Sequence, residues 1–243
     1  MRWTWFHRLA SPPSAYSTAR RLRPWLLWPA IGLMLWSAFE GLFVTPPDFQ
    51  QGEGYRIIYV HVPAAALSTV IYSVMAVASA VGLIWRMKLA HAVAAACAFP
   101  GAVFTALALV TGSIWGRPMW GTYWAWDPRL TSELILLFLY LGYIALRASF
   151  DDIGRADRAS AVLAVIGIVD IPVIKYSVVW WNSLHQGPSL SLFGKTTIDP
   201  SMIAPLLAMM FAYLLFFAAV VCDGLSAEIV RRERNAHWLA EAA

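Results

Sequence analysis

Long apolar runs separated by short polar stretches recur along the whole chain. Six are long enough to read as spanning helices, at about 25–44, 57–85, 91–114, 130–147, 159–180 and 202–222. A helix needs about 20 mostly apolar residues to cross a hydrocarbon core about 30 Å thick. The pattern therefore predicts an all-α fold, a polytopic membrane protein made of one bundle of six transmembrane helices. An arm over 1–24 precedes the membrane domain at 25–222, and a tail follows at 223–243. Arg20, Arg21 and Arg23 before the first run resemble the start of an export signal. The run is too long for a signal core and no small-residue cleavage site follows, so it reads as a retained signal anchor.

Composition agrees with that reading. The chain is 60% hydrophobic and 13% charged, where a soluble domain carries roughly a quarter charged residues. Basic residues give the orientation. Arg2, Arg8, Arg20, Arg21 and Arg23 lie before the first run, and Arg86 and Lys88 in the second connection. Arg147, Arg155 and Arg158 lie in the fourth connection, and Arg231, Arg232 and Arg234 in the tail. The other connections hold Arg56, Arg117, Arg129 and Lys195. Both termini are expected in the cytoplasm, and the first, third and fifth connections on the outer side, the periplasm of a Gram-negative-type cell. This bias accounts for the net charge of +4, which therefore gives no support for nucleic-acid binding. Cys97 and Cys222 sit inside apolar runs without a Cys-x-x-Cys, as small buried residues rather than redox or thiolate-metal groups.

The chemistry concentrates on the outer side. The third connection, WGRPMWGTYWAWDPRLT from Trp115 to Thr131, packs Trp115, Trp120, Tyr123, Trp124 and Trp126 between Gly116, Gly121 and an Asp-Pro. Aromatic belts at membrane interfaces explain scattered tryptophans such as Trp25, Trp28 and Trp36. Four in one loop suggest a platform for a large flat apolar ligand. Asp127-Pro128 reads as the start of the fourth helix, Asp at the N-cap and Pro at the first helical position. Arg129 then opposes the helix dipole, which hints at an anionic partner, and Arg56 and Arg117 are similar candidates. Asp170 and Lys175 read as helix-packing residues, and Glu40 and Glu133, near helix ends, carry no signal.

Of the five histidines, His7, His91 and His237 fall on the cytoplasmic side and read as surface or interfacial. His61, at the mouth of the second helix, and His185, in the fifth connection, flank the tryptophan segment on the outer side. Two imidazoles about an aromatic floor suit axial ligation of haem iron. Interfacial hydrogen bonding explains either histidine singly, and spacing leaves both readings open.

The segment WGRPMWGTYWAWDPRLTSELILLFLYLGY resembles the tryptophan-rich WWD signature of haem-handling proteins of cytochrome c biogenesis. The similarity continues through YRIIYVHVPAA, the FDD turn and YSVVWWNSLHQGPS, and covers essentially the whole chain. It is nearest to the CcmC type, with six helices and nothing appended. The resemblance implies that haem b is bound at the periplasmic face of the inner membrane. It further implies transfer to the haem chaperone CcmE, with the ABC-type subunits CcmA and CcmB and the small protein CcmD as partners. The family's axial ligands fall on His61 and His185, and its signature on Trp115, Trp120, Trp124, Trp126 and Asp127. Tyr123 occupies an aromatic position that is often Trp. A presenting and transfer protein is expected, rather than a conventional enzyme with catalytic residues. The alternatives are a haem exporter subunit that moves haem across the bilayer, and a haem lyase acting directly on apocytochrome c. No Gly-rich phosphate loop occurs, so any energy input is expected from partners.

Overall fold

The computed structural model describes residues 11–185 and 198–242. Arg2, His7, Arg8, Lys195 and the loop beyond His185 lie outside the described residues. Among the described residues, six helical segments are long and apolar enough to span a membrane and no strand occurs. The chain is a multi-pass, all-helical membrane protein.

Helix α1 (Pro12–Phe39) opens on Pro12 and Pro13 and passes into a π turn at Glu40–Val44. A 3-10 turn at Glu53–Ile57 leads into α2 (Ile58–Trp85). α3 spans Lys88–Trp120 and α4 Pro128–Ala148. The fifth span is two helices, α5 (Ile153–Gly167) and α6 (Asp170–Trp180). α7 (Pro200–Arg232) and a short α8 (His237–Ala242) complete the chain.

Two expected boundaries shift, while the charged tail continues as helix to Arg232, in keeping with a helical extension. The arm at 1–24 is helical from Pro12 onward. The third helix does not stop near 114: its 33 residues run through Trp120, about 50 Å of helix against a core of about 30 Å. The tryptophan segment at 115–129 is thus helical in its first part. It ends at Gly121, whose φ of 78° and amide bond to Arg117 O at 3.1 Å form a left-handed C-cap.

Side by side, α2 and α3 bury Tyr72, Met75 and Phe104 with Leu136, Tyr140 and Tyr143 of α4. α1 packs on α7, where the Ser37 hydroxyl donates to Pro205 O at 2.6 Å, and leaves Trp25, Trp28, Trp36 and Phe43 exposed. At the end of the bundle away from His61, Asp157 takes bonds from Arg147 and Arg232, and Glu228 pairs with the same two arginines. His91, expected at the surface or the interface, is buried near this cluster against Gly82. Lys175 is exposed while Asp170 is buried, so the packing role falls to Asp170 alone.

Candidate functional site

At one end of the bundle, α2, α3, α4 and the segment after α6 converge. His61 stands in the first turn of α2, and its Nδ1 lies 3.1 Å from Ala108 O and 3.1 Å from Thr111 Oγ1 on α3. One turn further along α3, Trp115 meets the His61 ring edge-on, 5.6 Å between centroids and 75° between planes. The Trp115 indole N–H donates to Gln51 Oε1 at 2.9 Å, which fixes the ring against the α1–α2 connection.

His185 arrives from the other side. α6 ends at Trp180, and the following extended chain is moored by the Leu184 amide, which donates to Asp127 Oδ2 at 2.8 Å. Asp127 Oδ1 accepts the Arg129 amide at 2.8 Å, so Asp127 also caps α4 as expected. Burial pushes the Asp127 carboxyl upward, but bonds from Ser183, Leu184 and Arg129 outweigh it and hold the group below its ordinary value. The His185 ring packs on Trp120, 5.0 Å between centroids. Burial, with the nearby Arg129 charge, pushes the His185 imidazole down to about 4. It is neutral at physiological pH and so retains a lone pair for a metal. Among the described residues, its Nδ1 has no hydrogen-bond partner.

The two histidines line one cleft of about 70 Å³ together with Gln51, Gly112, Trp115 and Trp120. Behind it, a smaller space of about 30 Å³ touches both histidines, Ala108, Arg129 and Glu133. Trp124 and Trp126 pack edge-on to each other at 5.5 Å, and Trp126 and Tyr123 are largely exposed. Arg117 lies over the Tyr123 ring and donates to Gly121 O. Arg129 donates to Ile174 O at 3.2 Å. Arg56 stays apart from the cleft: it binds Gly41 O at 2.6 Å and Thr45 O at 3.0 Å, clamping the α1–α2 connection.

Four residues that line the two spaces or hold their rings escaped the sequence reading. Gln51, Thr111 and Gly112 carry no local signal, because their roles exist only across helix contacts. Glu133 offers one that its place near a helix end conceals: it follows Arg129 by a helical turn, on the same face. It is buried, and its Oε1 accepts the Ser68 hydroxyl at 2.7 Å.

The CcmC family, described as "Heme exporter protein C", matches residues 5–240, which include the whole cleft. The chain belongs to the CcmC family. Its relatives include "Heme exporter protein C" of Escherichia coli K12, 48% identical over 239 residues, 98% of this chain and 96% of the relative. The protein of that name from Haemophilus influenzae is 40% identical over 241 residues, covering 99% and 98%. That from Bradyrhizobium diazoefficiens is 44% identical over 235 residues, covering 97% and 89%. The similarity extends over nearly the full length of the chain and of these relatives.

Proposed function

We propose that this chain binds haem b at the periplasmic face of the bacterial inner membrane and presents it to the haem chaperone CcmE. CcmA, CcmB and CcmD are the partners in this reading, and both termini lie in the cytoplasm, as the basic-residue bias favours. One observation carries it: His61 and His185, remote in sequence, line a single cleft walled by Trp115 and Trp120.

The donor chemistry fits. Imidazole is a good ligand for haem iron, and aromatic walls suit a flat apolar macrocycle. A cleft of about 70 Å³ is well below the roughly 300–1,000 Å³ of pockets that enclose such ligands. Cargo bound here would therefore extend beyond the cleft, and exposed Trp126 and Tyr123 supply further ring faces. Arg129 is the arginine that lines the inner space, which favours it over Arg56 for an anionic substituent, with Arg117 at the tryptophan segment. Release follows from how the ligands are mounted. His61 is gripped between two helices, whereas His185 rides on a non-helical segment that can move aside for an acceptor.

The test is the visible spectrum of the membrane-extracted protein, purified from cells lacking the acceptor, beside His61→Ala and His185→Ala. A low-spin, six-coordinate haem in the parent, disturbed in each variant, is the expected result. Absence of haem, or a spectrum unchanged in both variants, overturns the axial pair.

A further inference from the structure

We infer that Thr111 is a positioning residue for His61: its hydroxyl oxygen holds the imidazole as the Nδ1–H tautomer and leaves Nε2 as the ligating atom. The inference rests on the reading of His61 as an axial ligand.

The proton count around the ring decides the tautomer. Nδ1 has two neighbours at 3.1 Å, the Ala108 carbonyl and Thr111 Oγ1. A carbonyl only accepts, whereas a hydroxyl donates one hydrogen and accepts through its lone pairs. The Thr111 hydrogen is engaged elsewhere: Oγ1 lies 2.6 Å from Leu107 O, the preceding-turn carbonyl to which helical threonines bond back. Toward His61 the oxygen therefore offers a lone pair. Both neighbours of Nδ1 are acceptors, so Nδ1 carries the hydrogen.

Steric contact agrees. A Cβ placed on Gly112 would stand 2.9 Å from His61 Cε1 and 3.4 Å from Nδ1, but 3.9 Å from Nε2. Helix α3 thus touches the ring along its Nδ1–Cε1 edge. Of the two nitrogens, Nε2 is the one left without a hydrogen and farther from this contact. A ligating imidazole whose other N–H is held by an acceptor is fixed in orientation and made more basic, and losing such a partner typically costs about 10–100-fold in metal affinity.

The experiment titrates ferric haem into the full-length, detergent-extracted protein and its Thr111→Val and Thr111→Ser variants. Valine keeps the shape and removes one of the two acceptors, leaving Nδ1–H on the Ala108 carbonyl alone, whereas serine keeps both hydroxyl bonds. Thr111→Val is expected to bind ferric haem about 10-fold or more weakly. Its midpoint potential should rise by about 59 mV for each tenfold by which the ferric form loses more than the ferrous. Thr111→Ser should match the parent. Affinity and potential unchanged in Thr111→Val overturn the inference, and so does a serine variant as impaired as the valine. A readout without haem covers a valine variant that fails to accumulate: nitrogen-15 histidine spectra of the haem-free parent should show His61 protonated at Nδ1, and protonation at Nε2 overturns the inference. A parent that takes up no six-coordinate haem sinks the functional reading instead; the tautomer spectra of the parent and Thr111→Val, compared without haem, then decide whether Thr111 holds the His61 ring beyond what the Ala108 carbonyl does.

Discussion

The Leu184 amide donates to Asp127 Oδ2 at 2.8 Å, while the other oxygen of the same carboxylate caps α4. One side chain therefore both starts the helix after the tryptophan segment and moors the residue beside His185.

The two duties separate by substitution. Asp127→Asn keeps one oxygen for the cap but turns an N–H donor toward the Leu184 amide or gives up the cap. We expect under about 1 kcal/mol of stability loss but a weakened low-spin haem spectrum. Asp127→Ala removes both contacts and should cost a further 1 kcal/mol or so, the usual worth of a cap. Thermal unfolding with the visible spectrum checks both, and an unaffected spectrum in Asp127→Ala counts against the mooring role.

The histidine variants should differ in kind. His61 is fixed between α2 and α3, whereas His185 rides on a moored loop. His185→Ala should keep more haem, held five-coordinate by His61 and returned to six-coordinate by added imidazole. His61→Ala should keep less. Haem-to-protein ratios read the order, and the reverse order contradicts the anchored role of His61.

Gly112→Ala is predicted to disturb ligation without unfolding the bundle. The new Cβ would press on His61 Cε1 at 2.9 Å, and a ring at the end of a side chain can swing away. Alanine favours a helix over glycine by about 1 kcal/mol, which is offset by the buried imidazole bonds the ring gives up, so thermal stability should hold or fall slightly while the haem spectrum broadens. A parent-like spectrum would show that the ring's position is immaterial.

Acid should destabilise the haem-free protein over a defined window. Folded His185 sits near about 4, against about 6.5 for a free imidazole. Between those values the unfolded chain binds the extra proton, so stability rises with pH across the window and is lost on acidification through it. Asp127, held low, acts the same way lower down: its contribution is present above the ordinary carboxylate value and goes as pH falls through its folded one. The melting temperature, scanned from pH 8 to 4, should bend downward near 6.5, less so in His185→Gln. A flat profile in the parent counts against burial of a neutral imidazole.

The far end of the bundle is predicted to govern stability alone. Asp157 is buried and takes bonds from Arg147 and Arg232, and breaking a buried pair costs about 3–5 kcal/mol. Asp157→Ala should lower the unfolding midpoint sharply, and the folded fraction should keep the parental haem spectrum. A changed spectrum would show the two ends to be coupled.

Much of this is legible in the sequence alone. Twenty-residue apolar runs, an Asp-Pro start and a tryptophan cluster are local features, and local sequence decides whether a segment spans, caps or turns. Where α3 stops was misread, since the aromatic density of 115–120 resembles a loop while Gly121 is the residue that ends the helix. His91 was misplaced because burial depends on a neighbour, Gly82, rather than on its own run.

The sequence by itself determined six spans, the capping role of Asp127 and the pair of histidines beside the tryptophans, because periodicity and residue chemistry act over a few turns. Only the tertiary structure decided that Trp115 faces His61 and Trp120 faces His185, that Gln51 and Thr111 hold these rings, and that Glu133 lies behind them. Those contacts join residues tens of positions apart, and their geometry is set by how the helices cross, which no single segment encodes.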